Sequence, residues 1–191
     1  MPAGAMMLTF DDGPDPRGTP AVLDALRRAG ARATFFVIAP RAQHHPDLVR
    51  RIAAEGHTIA LHCDEHVRHC ERDEAWLQCD TERALDRLAR LSVHPTLWRA
   101  PWGALAPWSG ALAKRLGLAL VGWDVDTHDW RGDRAQTMLA AHRKAMTDGA
   151  VVLAHDGIGP GARRADCAQT AAFVGLAARH AGEHELALVA L

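Results

Sequence analysis

Short apolar runs alternate with longer amphipathic stretches along the whole chain. Runs suited to buried strands fall near residues 5–10, 33–38, 57–61, 96–99, 118–123, 150–155 and 185–190, and helical periodicity fills the intervals between them. Thr19 is placed to cap the first helix, with Pro20 at its first position and Gly30 closing it. Pro46 and Gly56 bracket a second helix in the same way. Near 72–91, Leu77, Thr81, Ala84, Leu88 and Leu91 recur at helical spacing and give one mostly apolar stripe. Further helices are predicted near 108–116, 134–147 and 164–180, and the glycine-rich "IGPGARR" at 158–164 reads as a solvated loop.

Strand–helix alternation predicts an α/β domain with a parallel sheet and helical crossovers. No linker divides it, so residues 1–191 read as a single domain. An open doubly wound sheet and a barrel both fit the alternation. No G-x-G-x-x-G or P-loop pattern follows a strand, which removes the usual nucleotide-binding open sheets. The polar residues favour the barrel. Asp11 and Asp12, then "LHCDEH" (61–66), "WRAPWG" (98–103), "WDVDTHDW" (123–130) and "VLAHDG" (152–157) each leave the end of a predicted strand. In a parallel barrel those ends converge on one rim, where active sites of this architecture are built.

Composition narrows the class. The chain is 48% hydrophobic and 24% charged with a formal net charge of -1, which gives no electrostatic reason for a nucleic-acid or membrane partner. No run of about 18 apolar residues is present, so no transmembrane helix is expected. "MPAGAMMLTF" carries no basic region before the first strand, and without a leader the expected location is cytoplasmic. Cys63, Cys70, Cys79 and Cys167 show no CxxC spacing and read as free thiols.

Two adjacent carboxylates at the end of a buried strand disfavour each other's ionised form. Asp11 and Asp12 therefore make either a solvated Asx turn or a site occupied by something positive. His62 and His66 are four apart, so one helical turn would bring both imidazoles to one face. Cys63 follows the first of them, so the zinc-protease pattern H-E-x-x-H does not apply. A carboxylate from the neighbouring rim position completes two histidines as an open metal site, leaving its neighbour to act as a base toward water.

"TFDDGP" (9–14), "HCDEH" (62–66), "RAPWG" (99–103), "DTHDW" (126–130) and "LAH" (153–155) resemble, in order, the five motifs of the polysaccharide deacetylase family, carbohydrate esterase family 4. The resemblance implies a distorted seven-stranded, TIM-like (β/α) barrel. It also implies a zinc-dependent amide hydrolase, with Co2+ or Ni2+ as other possible metals, acting on N-acyl amino sugars. By the same resemblance Asp12, His62 and His66 are the metal ligands and Asp11 is the base, oriented by Arg99. His155 is the acid that protonates the leaving amine, tuned by Asp129. The backbone N–H of Trp102 stabilises the oxyanion, and Trp130 and Leu153 line the acyl pocket.

Bland readings stand beside these. His69 is a rival ligand three residues from His66, whereas His57, His44 and His45 read as structural or exposed. Asp126 and His128 read as a local polar loop. Cys63 and Trp102 depart from the small hydroxyl residue and the tyrosine usual in the family. The expected substrate is an N-acylated small molecule or glycan: an intracellular small N-acylated amino sugar first, then a chitin oligosaccharide or peptidoglycan. Deformylation and a catalytically silent binding domain are the remaining alternatives.

Overall fold

The computed structural model describes residues 4–191. Strand β1 (Ala5–Asp11) is buried at every residue and forms the axis of the sheet. It is followed by α1 (Thr19–Ala29), β2 (Thr34–Ile38), α2 (Ala39–His44), α3 (Pro46–Ala54) and β3 (Thr58–Cys63). Then come α4 (Glu74–Ala89), β4 (Leu97–Trp98), α5 (Ser109–Arg115), β5 (Ala119–Leu120) and β6 (Val125–Asp126). The chain ends with α6 (Ala135–His142), β7 (Val151–His155), α7 (Ala168–Glu183) and β8 (Ala187–Val189).

All strand pairs are parallel, in the order β5-β4-β3-β2-β1-β7-β6, and β8 pairs with the opening residues of β1. Among the described residues no ladder joins β5 to β6, so the sheet is curled into a distorted, incompletely closed barrel. Alternation along β1 sorts its side chains. Met6, Leu8 and Phe10 join Val22, Leu23, Leu26, Phe35 and Val37 in the apolar layer between sheet and helices. Thr9 and Asp11 face the other way, into the barrel, where they meet Arg99.

The run predicted at 118–123 shortens to β5 at its start, and a separate β6 follows beyond its end. The carbonyls of Val121 and Gly122 between them bond the Arg99 guanidinium at 3.4 and 2.8 Å. Thr19 does not cap α1. Gly18 occupies that position, and the Thr19 hydroxyl instead donates to Asp156 and accepts from the Asp15 N–H. Gly30 does close the helix, at φ 62°, where a side chain would be strained. Helix α2 was not foreseen, α6 stops before the predicted 147, and α7 begins four residues late. The last shift has a local cause at Arg164, described below.

Candidate active site

Strand register builds the rim. In the β1–β7 ladder Asp11 lies opposite His155, and in the β6–β7 ladder Asp126 lies opposite Leu153. Leu61 pairs with Trp98, and the Arg99 N–H bonds the Leu61 carbonyl. The strand ends therefore bring Asp11, His62, Arg99, Asp126 and His155 to one mouth.

Asp12 is the first residue past β1 and has φ 73°. Arg41 donates to its carbonyl at 2.8 Å and to the Ile158 carbonyl at 2.9 Å. Its carboxylate Oδ1 lies 3.5 Å from His62 Nε2 and 3.1 Å from His66 Nε2. His62 Nδ1 bonds the Arg99 carbonyl at 2.7 Å. A carbonyl only accepts, so Nδ1 carries a proton and Nε2 is the nitrogen left facing Asp12. Asp12 Oδ1 is buried without a hydrogen bond. Ligand atoms of Asp12, His62 and His66 lie within 4.8 Å of one another. An orphaned buried carboxylate oxygen with two imidazole Nε2 atoms converging on it fits a divalent cation. Burial opposes ionisation of Asp12, but where a proton rather than a cation fills that gap, hydrogen bonds and charge from the two histidines hold its carboxyl well below the usual range.

The histidines do not share a helical turn. His62 is the penultimate residue of β3, and His66 sits in the irregular loop after the strand. What shapes that loop was invisible to motif reasoning. Asp80 on α4 is buried and accepts the N–H groups of Asp64 and Glu65 at 3.2 and 2.9 Å. Arg87 and Arg83 hold the Asp64 carboxylate at 2.7 and 3.3 Å. Burial raises the Asp80 carboxyl to about 6. The only sequence signal was a polar residue beside Thr81 on the apolar stripe.

Asp11 accepts from Arg99 at 2.9 Å. The Arg99 side chain is fully buried and also donates to Thr9 Oγ1 at 2.7 Å. Phe36 lies 4.1 Å from its guanidinium carbon. Across the mouth, His155 Nδ1 donates to Asp129 Oδ1 at 2.7 Å, which turns Nε2 toward the cleft. Burial works against an imidazolium, but Asp129 overcomes it, with smaller help from Asp12 and Asp11, and His155 is raised to about 9. Asp129 is held low despite burial, first by His155 and then by Arg164 and Thr170.

Arg164 corrects the solvated-loop reading of 158–164. Its side chain is 6% exposed. It donates to Asp129 Oδ2 at 2.9 Å and to the carbonyls of His155 and Gly157 at 2.9 and 3.1 Å. Thr170 on α7 donates to the same carboxylate at 2.6 Å. The inward turn of Arg164 keeps the chain irregular until Ala168. The loop it anchors, with Gly157, Gly159 and Ala162, walls the cleft.

The cleft has a volume of about 330 Å³ and is lined by Asp11, Asp12, His62, His66, His155, Trp102, Trp130 and Leu153 among others. Asp126 also faces it, and one of its carboxylate oxygens accepts from the His128 N–H at 2.8 Å. Trp102 has φ 54°, is 42% exposed, and sets its ring edge-on 4.2 Å from His66. Arg68 lies 4.8 Å over the Trp102 ring. His69 is elsewhere: buried on Trp98, bonded to Ser109 at 3.1 Å, and lowered by burial to about 4. His57 packs on Phe35 and accepts from the Ala33 N–H. The burial of Cys63 pushes its thiol well above the ordinary value, which makes it a poor rival ligand.

The polysaccharide deacetylase family model matches residues 1–121. A chitooligosaccharide deacetylase from Bradyrhizobium sp. is 39% identical over 162 residues, 84% of this chain and 74% of that protein. The peptidoglycan-N-acetylglucosamine deacetylase PgdA of Listeria monocytogenes is 37% identical over 78% of this chain, which spans 32% of that longer protein. A family 4 carbohydrate esterase from Streptomyces lividans, solved with acetate, superposes with a TM-score of 0.86 at 30% identity, covering 96% of this chain and 91% of that one. Motif order, barrel and relatives agree: the chain belongs to the polysaccharide deacetylase family.

Proposed function

We propose that this protein is a zinc-dependent N-deacetylase of N-acetylated amino sugars, with Asp12, His62 and His66 as the ligands. A divalent ion held by these residues would supply Lewis-acid polarisation of the amide carbonyl and would lower the pKa of water from about 15.7 toward about 7. Cobalt and nickel suit the same donors.

The chain's own residues do the rest. Asp11 takes a proton from the attacking water, and Arg99 fixes the carboxylate that does so. His155 gives its Nε2 proton to the departing amine nitrogen, since an amide does not leave as a free anion. Such proton transfers contribute about 10²–10⁴-fold each. Asp129 holds the imidazolium in place and charged. The Trp102 N–H is offered to the developing oxyanion, where a preorganised donor has its greatest effect. Trp130 and Leu153 close around the acyl methyl group, and the exposed face of Trp102 is a platform for a sugar ring.

The single observation behind this reading is the convergence of His62 Nε2 and His66 Nε2 on the orphaned Asp12 Oδ1, beside a separately held carboxylate and a separately held imidazole. Every residue the chemistry needs is there, which disfavours a silent binding domain. On the sequence a small molecule ranked ahead of a polymer. The names of the Bradyrhizobium and Listeria relatives favour a glycan, so the substrate we propose is an N-acetylglucosamine unit within an oligosaccharide.

The test is acetate and free-amine release from monomeric N-acetylglucosamine, chitin oligosaccharides and peptidoglycan fragments, with an N-formyl analogue alongside. Activity on oligosaccharides that disappears on chelation and returns with zinc is the expected result. Turnover that survives complete metal removal, or its absence on every N-acyl sugar, refutes the proposal.

A further inference from the structure

The last turn of α7 reads "HAGEH", residues 180–184, and places three metal-binding side chains on one helical face at i, i+3 and i+4. One ligand atom from each of His180, Glu183 and His184 lies within 4.8 Å of the other two. The imidazole centroids are 4.2 Å apart, and each ring has one nitrogen committed to a backbone carbonyl. Nε2 of buried His180 bonds the Met146 carbonyl at 3.0 Å, and His184 Nδ1 bonds the His180 carbonyl at 2.9 Å. Because carbonyls only accept, those nitrogens carry the protons. His180 Nδ1 and His184 Nε2 are the nitrogens left free to ligate.

Pinning one imidazole nitrogen to a carbonyl so that the other can ligate is the usual support of a metal-binding histidine. The negative end of the helix dipole and the Glu183 carboxylate both favour a cation there. We propose that His180, Glu183 and His184 form a second divalent-metal site, of the imidazole-rich class that takes zinc or nickel. It is remote from the cleft. Helix α7 runs down to β8, whose Ala187 N–H bonds the Gly4 carbonyl beside the start of β1, and Met146 precedes the start of β7. Asp11 and His155 lie at the opposite ends of those strands. An ion here would fix the His180 ring whose Nε2 bonds the Met146 carbonyl, and so steady the link between the end of α7 and the turn before β7.

The test is zinc stoichiometry by calorimetry and elemental analysis on the tag-free full chain. Wild type is expected to bind two zinc ions, and His62→Ala to retain the one at α7. His184→Ala and Glu183→Gln, both at exposed positions that leave the core untouched, are expected to lose that ion and the thermal stabilisation zinc gives to His62→Ala. One ion in wild type and none in His62→Ala overturns the proposal, as does a second ion bound undiminished by His184→Ala. One ion in wild type that survives His62→Ala but not His184→Ala supports this site while refuting the catalytic one, so the two readings fail separately.

Discussion

Replacing Asp129 by Asn removes the charge that keeps His155 protonated and leaves the ring nearly isosteric surroundings. The imidazole is held at about 9 against burial chiefly by Asp129. Without that anion, burial and the neighbouring Arg164 both act against the imidazolium, so His155 falls to the ordinary 6.5 or lower. The fall from 9 to 6.5 is worth about 3.4 kcal/mol. At pH 8 the protonated fraction drops from about nine-tenths to about three per cent, a loss of about 30-fold from proton supply alone. The assay is kcat/KM for acetate release between pH 6 and 10, which reports the free enzyme's essential acid. Its basic limb is expected near 9 in wild type and at least two pH units lower in the variant. The sign of the stability effect follows from the same raised value. His155 contributes fully below about pH 6.5, and the contribution is lost as pH rises through about 9. Urea titrations of Asp129→Asn should lack that decline. Asp129→Asn with Arg164→Gln removes the stranded cation and separates misfolding from lost acidity. A basic limb that stays near 9, or a loss equal at every pH, refutes the assignment of Asp129 as the group that charges His155.

Asp12→Asn is expected to release the metal, whereas Asp11→Asn should keep it and lose about 10²–10⁴-fold in kcat; metal content and turnover measured on the same samples decide this, and identical behaviour contradicts the division of roles. Gly159→Ala puts a Cβ 1.9 Å from Asp12 Oδ2, so metal affinity should fall by about 10–100-fold. Gly110→Ala, with nothing within 4 Å of the added carbon, is the neutral control in the same titration. Arg164→Gln removes one of the two cations held against the fully buried Asp129, leaving His155 and Thr170 on it, and should cost about 1.5–3 kcal/mol in chemical denaturation; a change below about 1 kcal/mol would show that the loop anchor carries no load.

What the sequence displayed was the reacting groups, because chemistry demands particular residue types at strand ends and period-2 runs make those ends visible. What it hid was the support for those groups. Asp80 and Arg164 work through long-range pairing that has no periodicity: one is a buried polar residue on an apolar stripe, the other a basic residue in a glycine-rich loop. Either pattern in isolation reads as ordinary surface. The split between β5 and β6 was hidden for the same reason, since it follows from where the Arg99 guanidinium spends its hydrogen bonds. Thr19 misled because a hydroxyl before Pro20 looks like a cap. Its bond went instead to Asp156, more than a hundred residues away in sequence and adjacent in space.

The adjacency of Asp11 and Asp12 has its own physical logic. In a continuing strand, neighbours point to opposite faces, and one of the two carboxylates would be driven into the helix layer. The left-handed backbone at Asp12 breaks the alternation at the single residue where it matters. A non-glycine residue there costs about 1–3 kcal/mol, and the surroundings hold it in place. Arg41 bonds its carbonyl, and the backbone of Gly159 leaves no room for a Cβ beside its carboxylate. The result is two acids from consecutive positions that enter one cleft from different directions. One is bound to a fixed guanidinium, the other is turned onto two imidazole nitrogens. In the proposed chemistry, Arg99 and a cation held by Asp12 would meet the repulsion between them, leaving Asp11 as the base and Asp12 as the ligand. A regular strand end could not assign the two carboxylates different work.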